Sequence, residues 1–105
     1  MEGVVHINKA RYDVYIGRSK DPGEGKWGNP YSHKADTLAK FRVRTRKEAI
    51  ERYEEYLLSR PDLMADLHEL KWKVLGCWCG EKACHGHILR KYVARLEQNL
   101  PLTLF

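Results

Sequence analysis

KVLGCWCGEKACHGHILRKYV, residues 73–93, joins a strand, a turn and a helix, and it sets the architecture of the chain. The apolar and β-branched residues from Lys73 to Cys79 predict a buried strand. Beyond the turn, apolar residues at helical spacing trace the buried face of a last helix: Ile88, Leu89, Tyr92, Val93 and Leu96. We expect the strand to lie near the centre of a sheet.

Two short strands and a long loop are predicted upstream. Val4 to Ile7 and Asp13 to Ile16 carry β-branched and aromatic residues with partial alternation, so they form either two strands or a hairpin around Asn8 to Arg11. The stretch GRSKDPGEGKWGNPY, residues 17–31, contains four glycines and two prolines, which predict a flexible loop. Because so long a loop is unusual in a small domain, we expect it to have a function.

Two helices are predicted between the loop and the central strand. Thr45 and Glu48 have the spacing of a capping box, which predicts a helix over about 46–58. Pro61 ends that helix and starts the next, whose core residues recur at helical spacing: Leu63, Leu67 and Leu70. The predicted fold class is therefore α/β, a small sandwich with a short, mostly parallel sheet and about three helices.

Length and composition favour one globular domain over residues 1–105, with a C-terminal tail from about residue 99. Hydrophobic residues make up 43% of the chain and charged residues 31%, which is typical of a soluble protein. No apolar run approaches the roughly 20 residues that cross a bilayer, and the start lacks the pattern of a signal peptide. We therefore expect a cytoplasmic protein without a membrane partner.

The chain is basic, with a net charge of +5. This charge suggests an anionic partner such as a nucleotide or a nucleic acid. Basic residues concentrate between Lys34 and Lys47, and the glutamates Glu51, Glu54 and Glu55 follow directly. A solvated face with helical ion pairs explains the same pattern.

All three cysteines of the chain fall within CWCGEKACHGH, residues 77–87, beside two histidines. An odd number of cysteines is a poor disulfide framework and favours a site. Cys77 and Cys79 would point to one face of a strand. The first interpretation is a zinc site with ligands drawn from five residues: Cys77, Cys79, Cys84, His85 and His87.

A reactive thiol is the second interpretation of the cluster. Cys84 falls at the predicted start of the last helix, where the helix dipole favours the thiolate. His85 or His87 would then act as base, so that Cys84 and His85 are the predicted catalytic residues. In the third interpretation the cysteines only pack in the core, as small hydrophobic residues do. We rank a site above packing, and a metal above a nucleophile.

The loop supplies groups suited to a nucleotide. Its glycines allow close approach of a ligand to the backbone, its cations suit phosphate, and its tryptophan suits base stacking. The predicted ligand-binding residues are Gly17, Arg18, Lys26, Trp27, Gly28 and Asn29. Two structural roles compete with this prediction: Trp27 would fill the core beneath the loop, and Asn29 would form a turn before Pro30.

The motifs VYIGR, KWGNPY, AIxxYxxYL and CWCxxxxCHGxxL occur in this order over roughly residues 4–92. In this combination the chain resembles domain-of-unknown-function family 4326, which is found in bacteriophages and bacteria. The resemblance implies a small cytoplasmic α/β protein, phage-borne in origin, and it brings no settled activity. The chain departs from the family pattern in the insertion KDPGEG, residues 20–25, and at His87, where we expect an acidic residue.

Together these features predict a nucleotide- or nucleic-acid-directed protein with a pocket between the loop and the cysteine–histidine cluster. We expect an enzyme that acts on a nucleoside derivative through a thiol or a metal. The alternative is a zinc-stabilised binding module without catalysis, which docks onto nucleic acid or, as a phage inhibitor, onto a host protein.

Overall fold

The computed structural model describes residues 4–19, 25–33, 40–78 and 84–101. Predictions for Cys79, for residues 20–24 of the loop and for the last four residues of the tail lie outside this part of the chain. The elements run in chain order as β1 (Val4–His6), β2 (Val14–Tyr15), β3 (Tyr31–Ser32), β4 (Phe41–Arg42), α1 (Arg46–Leu58), α2 (Pro61–Asp66), a 3₁₀ turn (Leu67–Leu70), β5 (Leu75–Cys77) and α3 (His85–Glu97).

The main sheet has three parallel strands in the order β1-β5-β2. Val4 of β1 and Val14 of β2 both pair with Leu75 of the central strand. All three residues of β5 are buried, as expected for a central parallel strand covered on both faces. The α/β class and the central position of this strand are confirmed.

The hairpin alternative for the first two strands is wrong. Strands β1 and β2 lie on opposite sides of β5, so they do not pair with each other. The strand predicted to start at Lys73 starts at Leu75 in the structure. Trp72, with a positive φ of 61°, lies in a turn just before it, so the chain becomes extended later than predicted. A second, two-stranded parallel sheet joins β3 to β4. These strands have two residues each, too few to show a hydrophobic period in the sequence.

Helix α1 begins and ends where the sequence predicts. Thr45 Oγ1 accepts a hydrogen bond from Glu48 N at 3.0 Å, and Glu48 Oε1 accepts one from Arg44 N at 2.9 Å. The glutamate therefore reaches back past the cap, as in a capping box shifted by one residue. The helix predicted after Pro61 is short and continues as a 3₁₀ turn, which still buries Leu67 and Leu70.

The core lies between the sheet and the helices, where α3 packs against β1 and α1 packs against α3 and β3. Tyr53 of α1 is fully buried, and its hydroxyl donates a hydrogen bond to Trp27 O at 2.9 Å. Burial is the main cause that raises the pKa of Tyr53. This side chain therefore ties α1 to the loop segment before β3.

Tyr53→Phe is expected to lower the free energy of unfolding by about 1–3 kcal/mol, because Trp27 O loses its donor inside the core. Urea denaturation measures the loss. Tyr56→Phe is the control, since the Tyr56 hydroxyl accepts from Arg60 on the exposed side of the helix, and it should change stability by less than about 0.5 kcal/mol. Equal effects of the two variants would contradict the role of Tyr53.

Glu54 links α1 to α3 from the outside of the core. Its Oε2 lies 2.5 Å from Lys91 Nζ and accepts a hydrogen bond from the Tyr92 hydroxyl, also at 2.5 Å. The bond from Lys91, followed by that from Tyr92, lowers the pKa of Glu54 below its ordinary value of 4.5. Burial, with Glu54 as a second cause, raises the pKa of Tyr92 to about 12.

A lowered carboxyl pKa stabilises the fold above the unfolded-state pKa and loses that effect as the pH falls through the folded-state pKa. Glu54→Gln is therefore expected to cost about 1 kcal/mol at pH 7, and the difference from wild type should vanish on acidification below pH 4.5. Denaturation curves at several pH values measure it. Glu55→Gln is the control, because Glu55 is exposed and lies 3.8 Å from Arg52. A difference for Glu54→Gln that does not change with pH would contradict the assignment.

Candidate functional site

The carboxyl ends of β1, β5 and β2 meet at one edge of the sheet, because the three strands are parallel. Ile7 N donates to Cys77 O at 3.1 Å, and Ile16 N donates to Gly76 O at 2.9 Å. These bonds continue the ladder past the last strand residues. Ligands of parallel sheets bind beyond such ends. We call this region, with the start of α3, the carboxyl edge.

The start of α3 brings the cysteine–histidine cluster to this edge. Cys84 is the N-cap residue, as the sequence predicts, and its Sγ accepts a hydrogen bond from Gly86 N at 3.3 Å. His85 Nε2 lies 2.5 Å from Ile16 O at the end of β2. The structure thus brings His85 together with the segment that leads into Gly17 and Arg18.

Gly86 allows this close approach of helix and sheet. A Cβ at this position would lie 2.9 Å from Ile16 Cδ1 and 3.0 Å from Val4 Cγ1. Contacts this short force neighbouring side chains to move. The glycine after Cys84 and His85 therefore sets the distance between the cluster and the ends of β1 and β2.

The two described cysteines form a buried pair. Cys77 Sγ and Cys84 Sγ are 3.6 Å apart, a distance too long for a disulfide bond, and the residues are 1% and 3% exposed. Two thiolates on one tetrahedral zinc ion, with bonds of about 2.3 Å, lie about 3.8 Å apart. The spacing of the pair therefore fits two adjacent zinc ligands with little movement.

The two histidines of the cluster, His85 and His87, make different contacts. A carbonyl oxygen can only accept a hydrogen bond, so the contact with Ile16 O requires a proton on His85 Nε2. This contact fixes the orientation of the ring and, in its neutral form, leaves Nδ1 unprotonated, as in histidines that bind a metal through Nδ1. His87 N donates to Cys84 O in the first turn of α3. Within the described ranges, no three His, Cys, Asp or Glu side chains converge as a metal site. Cys79, the remaining candidate ligand, lies outside those ranges.

Arg18 holds the loop together from within. Its Nε donates to Asn29 O at 2.6 Å and its Nη2 donates to Tyr31 O at 2.9 Å. A Cβ on Gly28 would lie 2.9 Å from Arg18 Cα, so only glycine lets the two segments approach so closely. The motifs GR and WGNP therefore contact each other, and Gly17 of the first motif is buried.

The other predicted ligand-binding residues also have structural contacts. Trp27 is buried at 4% exposure, as in the alternative that places it in the core. Asn29 is buried as well, where its Nδ2 donates to Ala49 O and its Oδ1 accepts from Tyr31 N. Lys26 Nζ lies 2.7 Å from Asp66 and 2.6 Å from Glu69. Phosphate and base binding by these residues stays a prediction.

Two aromatic residues at the carboxyl edge, Trp78 and His6, are not among the site residues predicted from the sequence. Trp78, directly after β5, is 60% exposed, and its ring meets the ring of His6 edge-on with 5.8 Å between centroids. His6 is the last residue of β1, and its Nδ1 accepts from Asn8 N. The position of Trp78 between Cys77 and Cys79 is the sequence feature that could have indicated a site residue. Its exposure, however, depends on the elements that pack around it.

The fold and this edge define a class of small parallel α/β protein with a cysteine–histidine cluster and an aromatic pair, exposed Trp78 and half-buried His6, at the ends of the strands. The chain belongs to the family described as Domain of unknown function (DUF4326), which matches residues 5–95. This match confirms the resemblance seen in the sequence.

A viral relative shares the sequence over most of its length. Uncharacterized protein R718 of Acanthamoeba polyphaga mimivirus is 33% identical over 99 residues, which cover 82% of this chain and 70% of that protein. No solved structure matches the chain. Among the residues that the structure describes, no helix is long and apolar enough to cross a membrane.

Proposed function

We propose that the protein binds a nucleotide or another nucleoside derivative at the carboxyl edge. The observation that carries the proposal is the exposed Trp78 ring beside His6, at the end of the central strand and next to the buried thiol pair. An exposed indole at the ligand-binding end of a parallel sheet offers a face on which a base can stack.

Because Arg18, Lys26 and Trp27 have contacts within the protein, we assign recognition of the ligand to other residues. Arg18 donates to two backbone carbonyls, and Lys26 is paired with two carboxylates. Both cations therefore support the loop in the folded chain, and Trp27 is buried beneath it. We assign base recognition to Trp78 and His6 and treat Arg18 as a residue that positions the edge.

The buried pair Cys77 and Cys84 is the chemically active part of the proposed site. Reactive cysteines sit in partly exposed surroundings, whereas Cys77 and Cys84 are buried. Burial of both sulfurs favours a metal over an open nucleophile. A zinc ion bound here would stabilise the turn between β5 and α3 or, with an open position, activate a water molecule.

Trp78→Ala is expected to weaken nucleotide binding roughly 5- to 150-fold, because base–aromatic stacking contributes about 1–3 kcal/mol. The probes are the common ribonucleosides and their mono-, di- and triphosphates, and tryptophan fluorescence and calorimetry measure the binding. Trp72→Ala is the matched control, because Trp72 is 74% exposed and lies before β5, at the opposite end of the strand. It should bind like the wild type.

Two results would overturn this proposal. The first is a wild-type protein that binds no member of the panel. The second is an equal loss of affinity in the two tryptophan variants, which would place the ligand away from the carboxyl edge. Circular dichroism of each variant verifies that the fold is intact.

A zinc site at the cluster is supported separately by the 3.6 Å spacing of the two sulfurs. We expect about one zinc ion per chain, measured by elemental mass spectrometry, and thiols that react only after a chelator is added. Cys77→Ser and Cys84→Ser should each lose the metal. His68→Ala, which removes an exposed histidine on the 3₁₀ turn, should retain it.

A protein that takes up no zinc, even when zinc is supplied during refolding, would contradict the metal site. If that protein also has one fast-reacting thiol that disappears in Cys84→Ser, the cluster is a thiolate nucleophile instead.

A further inference from the structure

A shallow groove of about 640 Å³ lies where β4 passes into α1. It differs in position from the carboxyl edge, since none of the residues of the thiol pair or the Trp78 ring line it. Three arginines line it together with a glutamate, a histidine and a valine: Arg42, Arg44, Arg52, Glu48, His33 and Val43. We call it the arginine groove.

Most of the net positive charge of the chain lies in the segment that forms the arginine groove. Residues 40–52 contain six arginines or lysines and two glutamates, a net charge of +4 out of +5 for the whole protein. Within the described part of the chain, no salt bridge joins Arg42 or Arg44 to a carboxylate, and Arg52 lies 3.8 Å from Glu55. Glu48, the one carboxylate in the lining, accepts a hydrogen bond from Arg44 N.

The location of this charge opposes the stability of α1. The N-terminus of a helix carries a partial positive charge, so cations there are unfavourable and acidic residues are favourable. Around the first turn of α1 the chain places Arg44, Arg46 and Lys47, with Glu48 as the acidic residue. The helix and the arginines thus raise the same positive potential, which an anion in the groove would neutralise.

We propose that the arginine groove binds the phosphodiester backbone of a single-stranded nucleic acid. Guanidinium groups match the geometry of phosphate oxygens, and three arginines, one in β4, one in the segment before α1 and one in α1, suit a ligand with several phosphates in a row. This surface is independent of the nucleoside site proposed at the carboxyl edge.

An aromatic contact in the strand that carries Arg42 favours a single nucleic-acid strand over a duplex. Phe41, which precedes Arg42 in β4, is 54% exposed, and its ring stacks on Tyr31 with 5.2 Å between centroids. Single strands have unstacked bases that bind such rings, whereas the bases of a duplex are covered by their neighbours. A phosphate contact from Arg42 and a base contact from Phe41 are therefore available from neighbouring residues of β4.

The test uses the full chain and a fluorescein-labelled 20-nucleotide single strand, with binding measured by fluorescence anisotropy at several salt concentrations. The triple variant Arg42→Ala, Arg44→Ala and Arg52→Ala should give a plot of log affinity against log salt that is shallower by about 2, at about 0.7 per phosphate. A fourfold rise in salt then weakens the wild type roughly 16-fold more than the variant.

The control variant removes the same charge elsewhere, with Lys9→Ala, Arg11→Ala and Lys73→Ala at three exposed positions. It should keep the wild-type salt slope. Phe41→Ala should weaken single-strand binding and leave the slope unchanged, because a base contact releases no counterion.

Four results would overturn the proposal. They are the absence of binding to the single strand, an equal loss in both triple variants, a duplex of the same sequence bound as tightly as the single strand, and a preference for anionic phosphatidylserine vesicles over the oligonucleotide. Nucleotide binding at the carboxyl edge is measured on the same variants. It should be unchanged by the arginine substitutions, which separates the failure of one site from that of the other.

Discussion

The pairing of β5 with a parallel strand on each side is the constraint on which the rest of the structure depends. Because β1 and β2 both run parallel to β5, their ends meet at one edge. The chain segments that leave these ends carry the chemically distinctive residues, and α3 starts over the same edge with Cys84 and His85. The contact of His85 Nε2 with Ile16 O joins the central strand, through α3, to the end of β2.

Internal hydrogen bonds account for most of the polar groups that the loop motifs contain. Arg18 donates to two backbone carbonyls that loops of a small domain otherwise leave to water, and Asn29 donates to Ala49 O of α1. Tyr53 does the same for Trp27 O from the helix side. The GR and WGNP motifs therefore maintain a close backbone approach around Gly28. The proposed surface for ligands lies instead at Trp78 and His6.

The two proposed surfaces differ in their physical basis. The carboxyl edge combines a buried pair of sulfurs with the exposed Trp78 ring packed against His6, so it suits recognition of a base. The arginine groove is open and cationic, so it suits phosphates and depends on salt. A protein with both would hold a strand through its backbone at one surface and a single nucleoside at another.

Local signals explain which features were predictable from the sequence. Helix α1 has a capping box and a regular apolar face, and its predicted bounds are those of the structure. The position of Cys84 at the start of α3 follows from the apolar period behind it. The strands β3 and β4 have no such signal, because two residues are shorter than any period. The choice between a hairpin and separate strands also depended on β5, about sixty residues away.

The class of the fold, the helix positions and the clustering of cysteines and histidines are predictable from local sequence, because they depend on residues close together in the chain. Which groups are available to a ligand depends instead on contacts between distant elements. Trp27 and Trp78 both lie in chemically suggestive motifs, yet the first is buried in the core and the second is exposed. Their exposure depends on which distant element packs against each ring, and no local pattern of residues specifies that contact.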